Sequence, residues 1–254
     1  MPTTVARAME VLNVLAEHPD GVTVSQLAVQ LSMNATSASR MVKTLREAGA
    51  VARDEHSGRL FPGLLLWALG ASAIKRQEFR RVAVPAIPSA IPSLGRSANL
   101  GVPMPDCVLY IEHLDAVGNF ISSIPAGLRM PYHATTMGKA ILAFQKPEVI
   151  ERVLKDRLTR YTDDTITDPE LLRQELAAIR ECGFALNRGE YHGNARGIAV
   201  PLLTSSGESV AAISVEALAV ELTPDSDVVQ SMVKLGASIS NQLGYGEVLG
   251  KFSP

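Results

Sequence analysis

Apolar and polar positions near the start of the chain alternate in the pattern of two short helices followed by a hairpin. Leu27, Ala28 and Leu31 recur on one side of the first of these helices. Thr23 precedes that apolar series, with Gln26 three residues later, the spacing of a capping box. The pattern therefore predicts a short helix that begins near Thr23.

The second predicted helix begins at Asn34, a residue type favoured at N-caps, and ends at Gly49. Its apolar positions recur at helical spacing: Ala38, Met41, Val42 and Leu45. The other side, called the docking face below, consists of Thr36, Ser37, Ser39, Arg40 and Lys43. Hydroxyls and long cations suit a helix that enters the DNA major groove, because they contact base edges and neutralise phosphates.

A small hairpin follows, with strands at 51–53 and 59–61 around a turn at 55–58. It completes a winged helix-turn-helix, and Arg59 adds a cation to the predicted DNA contacts. A module for protein contacts is the alternative. Charge does not decide between them, because residues 1–62 contain six Lys and Arg against six Asp and Glu. The whole chain has a net charge of −2 and a pI of about 6.2, so any DNA affinity must come from a local patch.

The next segment, LLLWALGASAIKRQEF from Leu64 to Phe79, is apolar on nearly all sides of a helix. Such a helix must be buried on more than one face. We expect a linker helix that packs against its copy in a second subunit; a core helix of either domain is the alternative. The predicted domains are 1–63 for the winged helix, 64–80 for the linker helix and 81–250 for a second domain.

The rest of the chain predicts an α+β domain with an antiparallel sheet and flanking helices, typical of small-ligand sensors. At the start of this domain, three prolines, Pro85, Pro88 and Pro92, predict an irregular helix that they either interrupt or start. The predicted strands are 98–102, 107–113, 120–124, 184–187, 197–203 and 210–220. The predicted helices are 138–144, 147–154, 168–181 and 224–243.

The loop before the helix at Gly138 predicts an anion site. Helix N-termini carry free N–H groups and the positive end of the dipole, and Thr135 and Thr136 add hydroxyls. A carboxylate would fit there. A phosphate loop is excluded, since His133 stands where the motif needs glycine and Ala140 follows Lys139.

Several stretches of the chain strongly resemble the IclR family of bacterial transcriptional regulators. They are SMNATSASRMVKTLREAGAV in the first domain, and MPYHATTMGKAILAF, DDTITDPELLRQELAAIRECGFALNRGE, RGIAVPLL and SSGESVAAISV in the second. The resemblance implies an N-terminal winged helix, a C-terminal effector domain with a PAS/GAF-like sheet, and a dimer or a dimer of dimers. It also implies an effector cavity, and Thr136 stands where the family usually has Ala. The effector residues expected are Tyr132, His133, Thr135, Thr136, Gly138, Glu190, Arg196, Gly197, Ile198 and Ser214.

The sequence therefore predicts a ligand-responsive regulator that binds operator DNA and a small organic acid, in keeping with a catabolic operon. We expect no catalysis, since the chain shows no nucleophile elbow, dinucleotide fingerprint or closely spaced carboxylate pair. No metal or cofactor is expected either. The candidate ligands His133, Glu190 and His192 are widely separated in sequence and form no i, i+4 pair on a helix. Two distant cysteines and the lack of a signal peptide or long apolar run predict a cytoplasmic protein. The alternative is a sensor or enzyme whose winged helix serves protein contacts.

Overall fold

The computed structural model describes residues 3–94, 97–114, 126–216, 223 and 226–246. The chain divides between Gln77 and Glu78 into two compact units, called the N-terminal and C-terminal units below. None of the helices described is both long and apolar enough to cross a bilayer. The predicted strand at 120–124 lies outside the described residues.

The N-terminal unit is a winged helix. Its elements are α1 (Thr4–Glu17), α2 (Val24–Gln30), α3 (Ala35–Glu47), β1 (Val51–Arg53), β2 (Leu60–Pro62) and α4 (Leu64–Lys75). The first three helices and the hairpin enclose a core that includes Val11, Leu15, Leu27, Val42 and Leu60. Thr23 and Gln26 form the predicted capping box at the start of α2.

Helix α4 contributes nothing to that core. None of its residues is buried in the single chain, and Leu64 and Trp67 are 86% and 72% exposed. The predicted end at Phe79 is wrong, because α4 stops at Lys75. Phe79 instead belongs to the next helix, where it is buried in a core of the C-terminal unit.

The C-terminal unit contains an antiparallel sheet between two layers of helices. Its helices are α5 (Glu78–Leu94), α6 (Thr136–Ala143), α7 (Pro147–Lys155), α8 (Pro169–Cys182) and α9 (Asp227–Gln242). The strands are β3 (Ala98–Pro103), β4 (Val108–Leu114), β5 (Arg129–Met130), β6 (Ala185–Asn187), β7 (Gly197–Leu203) and β8 (Ser209–Glu216), in the order β5-β4-β3-β8-β7-β6. This confirms the α+β class; β5 was not predicted.

The two faces of the sheet have separate cores. One face packs against α6 to α8, with Met137, Leu172 and Ala212 among its buried residues, and is called the α6 face below. The other packs against α5 and α9 through residues such as Ile87, Ile213 and Met232. Because side chains alternate along a strand, neighbouring residues of β8 serve different cores.

Helix α5 is continuous, so the predicted interruption is wrong. It runs through Pro85, Pro88 and Pro92, although an interior proline removes a backbone donor and costs about 3 kcal/mol in an isolated helix. Ala83 and Ile87 are completely buried in the core shared with α9. We infer that this tertiary packing outweighs the local preference.

Candidate functional site

The docking face lies on the open side of α3. Thr36, Ser39, Arg40 and Lys43 are exposed, and Ser37 is partly buried. The Asn34 side chain accepts from the Ser37 N–H at 2.8 Å and fixes the start of the helix. Ala38 and Val42, on the opposite side, are buried in the core. The predicted residues of α3 are therefore brought together on one accessible surface.

Two further cations lie beside this surface and were missed from the sequence. Arg46 and Arg53 line a groove between α3 and β1, together with Lys43 and Glu47. Lys43 Nζ lies 3.9 Å from a Glu47 carboxylate oxygen, and both side chains are well exposed. The sequence could not identify them, because Arg46 lies on α3 and Arg53 on β1, and only the fold brings the two elements together.

Arg59 does not join them. Its guanidinium donates to the Gly21 carbonyl at 2.7 Å, and the side chain lines another groove with Glu17, His18 and Asp20. Arg59 is therefore hydrogen-bonded within the N-terminal unit. Its predicted DNA contact has no support in this geometry.

In the C-terminal unit, α6 begins two residues before the predicted start. Thr135 is the N-cap: its hydroxyl accepts from the Gly138 N–H at 3.1 Å and donates to the Pro131 carbonyl at 2.8 Å. Gly138 is required by close packing, since a Cβ there would lie 2.4 Å from the Tyr132 carbonyl oxygen. Thr136 and Met137 therefore occupy the first turn, where N–H groups lack helical partners.

Several buried polar groups around that first turn have no hydrogen-bond partner among the described residues. No hydrogen bond of the described residues uses the N–H groups of Thr136 and Met137 or the Thr136 hydroxyl, although Thr136 is only 8% exposed. The Ser214 hydroxyl is equally buried and has no partner within the described ranges either. Helix α6 packs on β8, where Ser214 and the core residue Ala212 share the α6 face. Unsatisfied buried groups are rare in proteins, so this cluster points to a ligand.

The strand register adds two residues that the sequence did not identify. Ser214 pairs with Asn99, and Asn99 pairs with His113 on the next strand. His113 Nδ1 lies 2.7 Å from Asn99 Oδ1, and Asn99 is only 4% exposed. A polar residue within an otherwise apolar strand was the available signal. The row Ser214–Asn99–His113 forms a polar floor on the α6 face.

Tyr132 and His133 belong to the loop before α6, and each side chain has a hydrogen-bond partner within the chain. The Tyr132 hydroxyl donates to the Met104 carbonyl at 2.8 Å. His133 Nε2 lies 2.9 Å from the Thr159 carbonyl, so this nitrogen must carry the proton. Burial lowers the pKa of His133, opposed by that hydrogen bond. Both side chains hold the loop in position.

Glu190 is paired with a lysine that the sequence did not single out. Lys139 is completely buried on α6, and its Nζ lies 2.6 Å from Glu190 Oε1 and 2.8 Å from Glu175 Oε1. The other Glu190 oxygen accepts from the Arg188 N–H at 2.6 Å. The ion cluster thus joins α6, α8 and the β6–β7 loop. The Glu190 carboxylate is already occupied within the chain.

The remaining predicted effector residues are dispersed. Arg196 donates to the Gly193 and Ala195 carbonyls. Gly197 passes close to the neighbouring strand, where a Cβ would lie 2.7 Å from the Val215 oxygen. Ile198 belongs to the core shared with α5 and α9, on the sheet face opposite Thr136 and Ser214. In the described ranges, no group of three His, Cys, Asp or Glu side chains could hold a metal.

The exposed face of a helix-turn-helix and a sheet unit whose buried polar groups lack partners in the described ranges indicate a class of protein, the DNA-binding regulator with a ligand domain. Comparison with known sequences agrees. Residues 4–55 match the IclR helix-turn-helix domain, and residues 71–241 match the bacterial transcriptional regulator IclR C-terminal domain. The chain belongs to the IclR family of transcriptional regulators.

Characterised relatives and solved structures extend over most of the chain. The HTH-type transcriptional regulator BhcR of Paracoccus denitrificans is 32% identical over 210 residues, covering 82% of this chain and 75% of that protein. The regulator KipR of Bacillus subtilis is 27% identical, covering 95% and 97%. An IclR homologue from Microbacterium hydrocarbonoxydans, solved with 4-hydroxybenzoate, has a TM-score of 0.76 at 28% identity and covers 95% and 99%. The relatives are named as regulators and not as enzymes.

Proposed function

We propose that this regulator binds a small organic acid at the first turn of α6 and changes its operator affinity in response. The observation that carries the proposal is a pair of buried hydroxyls, on Thr136 and Ser214, beside the N–H groups of Thr136 and Met137; none of these groups has a hydrogen-bond partner among the described residues. Hydrogen-bond donors at a helix N-terminus favour an anion, and a carboxylate supplies acceptors for them. The bound 4-hydroxybenzoate in the Microbacterium relative supports an acid as the ligand class.

The effector assignment can be tested with two variants and a control. Thr136→Val and Ser214→Ala each remove one unpartnered hydroxyl with little change in volume. We expect weaker binding of carboxylic acids in calorimetry and a smaller change in operator affinity on adding them. Ser205→Ala, an exposed serine in the β7–β8 turn, is the matched control. An acid response that persists unchanged in both variants would place the effector elsewhere.

Operator recognition is assigned to the docking face. Arg40→Ala and Lys43→Ala should each weaken binding and reduce the slope of log K against log salt by about one, because one phosphate contact is lost. The fold should be retained, since both side chains are exposed. Arg59→Ala serves as the comparison and should leave the slope unchanged, since Arg59 binds Gly21. Gel-shift titrations at several salt concentrations measure all three variants.

We further propose that α4 forms a subunit interface. Its apolar side chains, including Trp67, are exposed in the single chain, and large exposed apolar patches mark interaction sites. Burying an aromatic side chain contributes about 2–3 kcal/mol, so Trp67→Glu should shift the assembly towards monomers. Sedimentation velocity of the full chain measures this; an unchanged assembly would exclude the α4 interface. Operator binding should fall with the assembly, because a monomer contacts one half-site.

A further inference from the structure

Tyr110 of β4 carries a third hydroxyl on the α6 face that has no hydrogen-bond partner among the residues that the structure describes. Tyr110 is only 6% exposed and lies in the same core as Met137 and Ala212. Its phenol makes no hydrogen bond within the described ranges. Tyr132, the other deeply buried tyrosine of this core, has the Met104 carbonyl as its acceptor. The contrast is informative, because a buried tyrosine hydroxyl normally finds a partner.

The position of Tyr110 relates it to the site proposed above. Tyr110 pairs with Gly101 of β3, and Gly101 pairs with Ala212 of β8, two residues before Ser214. A Cβ on Gly101 would lie 3.0 Å from the Met137 side chain, so the first turn of α6 covers this row. Two strand spacings separate β4 from β8, about 10 Å, and Tyr110 and Ser214 both lie on the α6 face of the sheet. A small ligand that lies across β3 on this face can therefore contact both Tyr110 and Ser214.

We propose that Tyr110 determines effector specificity by donating a hydrogen bond to a second oxygen of the acid, at the end remote from its carboxylate. The ligand class is then a small acid with a hydroxyl or carbonyl group besides the carboxylate. The inference rests on the proposed effector site at α6 and deepens it.

The chemistry of the phenol supports a donor role. Burial, together with the negative charge of Glu216, raises the pKa of Tyr110, so the hydroxyl keeps its proton at neutral pH. A protonated phenol can donate to a hydroxyl, carbonyl or ether oxygen, and an apolar group there would leave it unsatisfied. Acids that lack the second oxygen should bind more weakly, because they leave the buried Tyr110 hydroxyl without an acceptor.

The test compares matched acids that differ by one oxygen. Binding of 4-hydroxybenzoate and benzoate, 3-hydroxypropanoate and propanoate, and 4-hydroxybutanoate and butanoate is measured by calorimetry on the full chain. For at least one pair, wild type should bind the oxygenated acid about tenfold more tightly, the effect of one well-made hydrogen bond. Tyr110→Phe, which removes only the hydroxyl, should reduce that ratio to about one and leave the affinity for the simpler acid unchanged.

Tyr245→Phe is the control, because Tyr245 follows α9 and lies outside both cores. Circular dichroism and the melting temperature show whether Tyr110→Phe folds. Equal ratios in wild type and Tyr110→Phe, for acids that do bind, would overturn the role of Tyr110 alone. Failure of every acid to bind wild type would overturn the organic-acid site as well as this inference. Loss of both acids of a pair in Tyr110→Phe would show a structural role and also contradict the proposal.

Discussion

The two units of the chain present their polar side chains in opposite ways. In the N-terminal unit, the proposed functional groups are exposed hydroxyls and cations on α3, and the opposite side of that helix is packed in an apolar core. In the C-terminal unit, the proposed functional groups are buried on the α6 face, and several of them have no hydrogen-bond partner among the described residues. The first arrangement suits a large charged ligand that arrives from solvent. The second suits a small ligand that replaces the missing hydrogen bonds.

The same contrast holds for ion pairs. Lys43 and Glu47 form an exposed pair on α3, whereas Lys139 is enclosed with Glu190 and Glu175. An exposed pair is weakened by solvent screening and can be removed with little effect. A buried pair holds its surroundings together, because loss of one partner leaves an uncompensated charge.

The largest effect is therefore expected from Lys139→Met. We expect a loss of about 3–5 kcal/mol in the free energy of unfolding, since Glu190 would remain buried without its partner. Lys43→Met is the matched control and should change stability by no more than about 0.5 kcal/mol. Equal effects of the two substitutions would remove the distinction between the units.

Urea titration measures both substitutions, and the chain offers a separate spectroscopic reporter for each unit. The single tryptophan, Trp67, lies in the N-terminal unit, and all five tyrosines lie in the C-terminal unit. Trp67 fluorescence and the near-UV circular dichroism of the tyrosines should therefore follow different units. We expect Lys139→Met to shift the tyrosine transition, and a shift seen only by Trp67 would contradict the assignment.

A smaller difference is expected between the two helix caps. The side chains of Asn34 and Thr135 both accept a hydrogen bond from a backbone N–H in the first turn of their helices. They differ in burial, because Thr135 is only 4% exposed whereas Asn34 faces solvent. Asn34→Ala should cost about 1 kcal/mol, because water can satisfy the released N–H. Thr135→Val should cost about 1–3 kcal/mol, because the Pro131 carbonyl and the Gly138 N–H would lose a buried partner. Chemical denaturation measures the free energy of unfolding of both variants. A smaller loss for Thr135→Val than for Asn34→Ala would contradict this expectation.

The smallest effect is a pH dependence from His133. Burial lowers its pKa, so the folded chain binds this proton less readily than the unfolded chain. Stability should then be fully present above the ordinary histidine pKa of 6.5 and fall as pH decreases below it. His133→Gln should flatten the slope between about pH 5 and 7 in pH-dependent unfolding. If the dependence of unfolding free energy on pH is the same in His133→Gln as in wild type, a group other than His133 causes it.

The sequence alone predicted the parts of the molecule that local interactions govern. The capping box at Thr23 and Gln26, the N-cap at Asn34 and the apolar underside of α3 are all as expected. Each depends on residues within one or two helical turns, where composition and spacing determine the structure. The α+β class followed in the same way from the period of apolar residues along each segment.

Only the tertiary structure decided how distant residues meet. Lys139 follows a helix start in the sequence and gives no sign that two carboxylates will enclose it. Arg59 differs from Arg53 only in its three-dimensional neighbours, and α5 continues through prolines because α9 covers it. The polar row at Ser214 and Asn99 depends on strand pairing between segments more than a hundred residues apart. Pairing and packing are set by the whole fold, so propensity along the chain cannot reveal them.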